Sequence, residues 1–402
     1  MTPTPLLLLS DHVEGAVHLV TVPDGTPAGG LRGRHLSEHA GFLSLPGGRV
    51  ACVDDRRGEL LVLAPYGPGP ELVECAVPVA VPAEHLAADP SGRWVAVTTG
   101  LGRNTAPWSP LVTVVDLSTG DAVRVRTRPG EPGVTVLGPR EPLLVLRHRE
   151  PGALAVHRFA ELLAAPPGCP EVTPAEVLPL PGDGHGDAQD PLESRVFAAT
   201  GEGVHRARRD GDSLVAEAPI PWGAPGPARG WYLRFDPRRR ALWSTLRGGP
   251  ADPLRWPDWT NQAWRHDLDT GRTARTDLGP GLVFRLALTR TAGAFARVHP
   301  DGDELVLLDD DGTTRRVPLP AMSGAPRRGG TPWEGVQRRA VAASPEADWV
   351  AVTRGGHGEV HLVDARTATP AAPLRVPTPL HHGGHAVLLP QPGGAGGDLV
   401  GR

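Results

Sequence analysis

The sequence predicts an all-β fold, a closed β-propeller of about eight four-stranded blades, and three observations carry that prediction. A short apolar strand, a turn and a second apolar strand recur at intervals of roughly fifty residues along the chain. The 51 Gly and 46 Pro fall between these runs instead of in one tract, as closely spaced turns require. The chain also opens on what reads as the second strand of a unit and closes on a spare first one, so its two ends can complete a shared blade.

The register strand, B, occurs at 6 to 12, 49 to 55, 94 to 100, 142 to 148, 195 to 201, 241 to 247, 293 to 299 and 348 to 354. A partner strand, C, follows at 16 to 22, 59 to 65, 111 to 117, 153 to 159, 203 to 209, 263 to 268, 304 to 309 and 359 to 364. Turn signals such as Asp24-Gly25, Thr119-Gly120 and Asp311-Gly312 then lead to a more polar strand, D, as at 121 to 127 and 272 to 278. The alternation of Arg and Thr there suits an outer, half-solvated strand. An inner strand, A, precedes B at 42 to 48, 85 to 92, 231 to 237 and 340 to 345, and the spare copy lies at 385 to 390. Sharing one blade between the N- and C-terminal strands closes the ring and removes exposed sheet edges. One propeller spanning 1 to 402 is expected, with seven blades instead of eight if the irregular unit near 185 to 219 merges with a neighbour.

The units WVAV…VTVVDLSTGDAVRV (94 to 125) and WVAV…VHLVDARTATPAAPLRVP (349 to 376) resemble the YVTN and WD-repeat-like propellers of bacteria. The resemblance implies architecture. Propellers of this kind include scaffolds, lactone-hydrolysing enzymes and cofactor-dependent dehydrogenases, so it implies no single activity.

Composition narrows the partners. A formal charge of -4 and the absence of a basic run argue against nucleic acid, which needs a concentrated positive footprint. Cys52, Cys75 and Cys169 form no CxxC spacing, which fits neither a disulfide framework nor a thiolate metal site and points to a reducing interior. The apolar run 6 to 9 lacks the flanks of a signal peptide, and no run reaches membrane-spanning length. A soluble, cytoplasmic protein with no membrane partner is expected.

Function is expected on one face. In an up-and-down blade the A–B and C–D turns lie on one side of the ring, and the B–C and D–A connections lie on the other. The first kind is mostly short, whereas long insertions at 100 to 110, 219 to 230, 247 to 262 and 320 to 337 all belong to the second. Seven of the ten Trp lie in or beside these insertions, and Trp108, Trp231, Trp256, Trp259 and Trp333 are the candidates for a substrate-binding wall. The segment WPDWTNQAW (256 to 264) is the expected lid or side of such a wall.

The 16 His separate by position in the repeat. His18, His157, His205, His266 and His361 lie in strand C and read as structural. His39, His85, His185 and His385 lie near the starts of inner strands, where a propeller lines its channel mouth. Imidazoles from separate blades aimed at one axis suit Zn, Cu or Fe, so these four are the candidate metal ligands. His12, His148 and His299 end strand B on the same face and are the candidate catalytic or substrate-contacting groups. The glycines of His381-His382-Gly383-Gly384-His385 permit close backbone approach.

Other chemistry finds no support: there is no GxSxG elbow, phosphate loop, dinucleotide fingerprint or HExxH. Two turns, at 116 to 120 and 267 to 271, resemble those of quinoprotein propellers but lack the Trp that follows the Gly there. The expected function is a small-molecule or peptide pocket lined by His and Trp at the channel mouth, metal-dependent if it is an enzyme. The alternative is a non-catalytic scaffold that docks a protein partner on the same face.

Overall fold

The computed structural model describes residues 4–67, 71–100, 108–223, 228–389 and 400–401. Its strands form eight antiparallel sheets arranged as a propeller. The unit near 185 to 219 is a blade of its own, with strands Asp187–Asp190, Arg195–Ala199, Gly203–Asp210 and Ser213–Pro221, so the count is eight and not seven.

Blade 1 joins the two ends of the ring. Its A strand is His385–Leu389, which pairs antiparallel with the B strand Leu6–Asp11, followed by Ala16–Thr21 and Pro27–Arg32. The A strands of blades 2, 3 and 4 are Leu43–Leu45, His85–Ala88 and Gly133–Leu137; blade 5 opens on Asp187–Asp190. Blade 6 has a broken inner strand, Arg229–Gly230 and Arg234–Asp236, and blades 7 and 8 begin with Leu282–Leu288 and Val341–Ala343. Neighbouring A strands lie against one another around the channel. A further short strand, Val400–Gly401, pairs with Ala87 and Leu86 on the inner edge of blade 3.

Strand composition explains the packing. Inner and middle strands are apolar on both faces because each face meets a different neighbour. Leu7 and Leu9 pack toward blade 8, whereas Leu6 and Leu8 pack toward blade 2. Among the described residues, eight apolar clusters result, one at each seam between adjacent blades. Outer strands such as Asp121–Arg126 and Thr273–Pro280 are mostly exposed, as their polar alternation predicts.

The two faces differ as expected, except that the C–D connections of blades 2 and 4 are long. That of blade 4 carries the helix Phe159–Leu163, whose Phe159 and Leu162 bury into the seam with blade 3. On the opposite face, Trp256, Trp259 and Met322 pack with the strand ends Leu282 and Val298 in a small apolar core. No helix of the described residues is long and apolar enough to cross a membrane, and all three cysteines are unpaired.

Candidate functional site

Each D–A connection or A strand delivers side chains to the channel mouth, and together they form a circuit. His385 begins strand A of blade 1, and Arg285 of blade 7 lies 3.2 Å from its Nδ1. His39, between blades 1 and 2, lies 3.5 Å from Glu84 at the head of blade 3. Glu131, preceding blade 4, accepts a hydrogen bond from His185 of blade 5 at 2.8 Å. The His185 ring meets Tyr232 of blade 6 at 5.9 Å, and Tyr232 meets Phe284 of blade 7 edge-on at 5.7 Å. Arg338 of blade 8 stacks over Phe284 and approaches Glu38 at 3.6 Å. Blades 1 to 5 thus supply imidazoles and carboxylates, and blades 6 to 8 supply aromatic rings and guanidinium groups.

A tight cluster sits where the ring closes. One ligand atom each from His12, Glu38 and His382 lie within 4.8 Å of one another. Neither ring nitrogen of His12 has a hydrogen-bond partner among the described residues, although both are buried. Burial lowers the His12 pKa; Glu38 and Asp11 oppose that shift, while His382 and Arg338 add to it. His12 also lies 5.9 Å, ring to ring, from both His382 and His385. His385 is fully buried, and burial with the Arg285 charge keeps it neutral.

Local sequence explains how these groups are held. His382 adopts a left-handed backbone (φ 56°), which is strained for a residue with a side chain, and its N–H donates to Gln337 at 2.9 Å. The His381 N–H donates to Asp11, the last residue of strand B, at 3.1 Å. At Gly384 (φ 59°) an added Cβ would stand 2.2 Å from the carbonyl oxygen of Ser10. Only glycine lets this loop approach strand B so closely. Arg285, Arg338 and Arg339 line the rest of the hollow, which has room for an ion and a water or two.

The four candidate metal ligands of the sequence all lie around this mouth but do not form one compact donor set. His39 is half-exposed beside Glu84, and His85 is buried within electrostatic reach of Glu131. His185 is engaged by Glu131 and stands edge-on to Trp231 at 5.3 Å; His385 takes the Arg285 contact. Of the three candidate catalytic residues, His12 joins the cluster. His148 is buried beside Arg128 and His157, and burial with those charges pulls its pKa down to about 3. His299 sits on blade 7, where its Nδ1 accepts the Asp301 N–H at 3.2 Å.

Glu38 was not singled out from sequence, because one acid in a loop carries no period. His382 lay in the HHGGH run, which was the available signal.

The aromatic candidates divide. Trp231, Trp259 and Trp333 gather around Arg247, whose guanidinium carbon lies 4.9, 4.4 and 5.6 Å from their ring centres. Trp256 is fully buried beneath them, and Trp108 is 41% exposed on blade 3. Most of the insertion 100 to 110, together with 224–227, lies outside the described residues.

Below the mouth, Arg147 is buried and donates to Asp187 at 2.7 Å and to the Gly184 carbonyl at 2.8 Å. Burial alone would raise the Glu131 pKa. The His185 hydrogen bond and the charges of His185, Arg147 and His85 instead hold it well below the usual carboxylate range.

No family model matches the chain, and no curated protein matches it. Solved structures do. The chain is similar to apo AztD from Citrobacter koseri, with a TM-score of 0.69 and 12% identity over 99% of each chain. It is also similar to the dihydro-heme d1 dehydrogenase NirN in complex with DHE, with a TM-score of 0.58 and 16% identity, covering 92% of this chain and 72% of that one. At these identities the likeness establishes the propeller fold, which these bacterial proteins share with the present chain.

Proposed function

We propose that this propeller binds a divalent first-row transition metal at its channel mouth through His12, Glu38 and His382, and holds a small molecule beside it. The carrying observation is the convergence of three donor atoms within 4.8 Å at an imidazole whose two buried nitrogens have no hydrogen-bond partner among the described residues. Two imidazoles and one carboxylate form the donor set of catalytic zinc and of non-haem iron(II) sites, and it leaves coordination positions open. A metal bound there would supply Lewis acidity to a ligand oxygen. Arg285 and Arg338 line the hollow beside it, and the left-handed His382 would be held for ligation by Gln337 and the Asp11 turn. His39, His85, His185 and His385 serve as the surrounding ring in this reading, not as the inner ligands. The repeat motifs support grouping the blades with YVTN and WD-repeat-like propellers, and the unpaired cysteines support a reducing compartment.

The test is elemental analysis of the purified protein after incubation with Zn, Fe(II) and Cu, beside a His12→Ala/His382→Ala variant that retains its melting transition. About one metal per chain in the parent and a loss of at least roughly tenfold in affinity in the variant are expected. Absence of metal in both would overturn the reading and favour a protein partner on the loop face.

A further inference from the structure

Arg247 is the last residue but one of strand B of blade 6, Ala241–Gly248, at the sequence-repeat position where blades 1, 4 and 7 carry His12, His148 and His299. Its guanidinium is enclosed by the rings of Trp231, Trp259 and Trp333. Trp259 and Trp333 also lie against each other at 5.7 Å. The N–H donors of a guanidinium lie in its plane, and rings around the group leave them open only at its edge.

Among the described residues, none of these donors meets an acceptor and no carboxylate pairs with Arg247. Nearby arginines differ in this respect. Arg147 is held by Asp187, Arg229 by Asp183, Arg338 by Glu38 and the Trp333 carbonyl, and Arg339 by Asp303. Arg247 is half-buried, and its desolvation is opposed only by the Tyr232 hydroxyl and is reinforced by Arg229, with no carboxylate against it among the described residues. An unpaired, partly buried cation is costly unless something pairs with it. The Trp333 ring is shared with a mostly apolar hollow lined by Leu282, Phe284, Val298 and Pro332, to which Arg338 and Arg339 also contribute.

We infer that Arg247 is an anion-recognition residue for an organic carboxylate carrying an apolar, ring-bearing body. The carboxylate takes the edge of the guanidinium fork, and the body lies along Trp333 toward Phe284. One cation matches a monoanion, and the charge of the neighbouring Arg229 is already balanced by Asp183. This inference names the class of molecule held at the mouth and rests on a different group of residues from the metal cluster.

The experiment is calorimetric titration of the whole protein in EDTA with 1-naphthoate and, separately, 1-naphthamide. Working without metal keeps a failure here distinct from a failure of the metal site. Naphthoate should bind at least about tenfold more tightly than the amide, and Arg247→Met should remove that preference, because a hydrogen bond to a charged group has this magnitude. Arg247→Lys, which keeps charge and loses the fork, should fall between. Equal binding of acid and amide, no binding of either at millimolar concentration, or inorganic phosphate competing as well as naphthoate would overturn the assignment. So would an unchanged Arg247→Met protein. Should that variant fail to fold, the ratio of acid to amide in the parent decides the matter.

Discussion

The Arg285 guanidinium stands 3.2 Å from Nδ1 of His385 across the channel mouth. Arginine only donates, so Nδ1 must accept and the ring proton must sit on Nε2. With Arg285 present, His385 therefore offers no free lone pair to a metal. In metal-free protein, long-range 15N correlation spectra should show a single Nε2–H tautomer for this residue. Arg285→Leu should convert it to a mixture of tautomers. A single Nδ1–H form in the parent would contradict the contact.

The Arg147–Asp187 pair is the most deeply buried ion pair beneath the mouth, with side chains 1% and 4% exposed. Removing one partner leaves a charge in a dry interior, so Asp187→Ala should lower unfolding stability by about 3–5 kcal/mol. The double change Arg147→Met/Asp187→Leu should cost less than the single one. Denaturant midpoints compared at one pH check both.

Gly384→Ala would combine a left-handed backbone with a Cβ placed 2.2 Å from the Ser10 carbonyl oxygen. The loop carrying His382 would have to move away from strand B of blade 1. A loss of roughly 2 kcal/mol or more is expected, read as a lower melting temperature, together with weaker metal retention.

Stability should fall with acid. His148 and His157 are buried, and desolvation, joined for His148 by nearby positive charge, pulls their pKa values from 6.5 to about 3 and about 4. Between 6.5 and those values the unfolded chain binds protons that the native one does not. Stability then drops by up to about 1.4 kcal/mol per pH unit for each group, and above that window these two groups impose no pH dependence. Guanidinium unfolding at several pH values should show this slope, and His157→Gln should flatten it by one group's share.

The strands and their order were legible because every blade repeats the same alternation of apolar run and turn. Even the closing pair, Leu6–Asp11 with His385–Leu389, followed from a missing first strand at one end and a spare one at the other. The helix Phe159–Leu163 was not legible, since five residues carry too little period to stand apart from strand C. At the site, position in the repeat brought His39, His85, His185 and His385 to the mouth but could not say which imidazoles converge. That depends on how loops of two blades pack on one another, and the meeting of Glu38 with His12 leaves no trace in any local pattern. Arg247 is hidden for a similar reason: the three Trp stand out as a set in the insertions, but the cation at their centre lies in strand B.

The cluster at the mouth draws its members from opposite ends of the chain, and the contact between His381 and Asp11 spans 370 positions. Joining such distant segments carries a loop-closure cost that grows only slowly with length, yet it falls on this one seam. A ring that has not closed contains no three-donor site. Occupancy of the site would therefore act as a clasp, adding RT ln(1 + [L]/Kd) to the stability of the closed form and nothing to the open one. Ligand concentration would then set how long the ring stays shut as well as what the mouth holds.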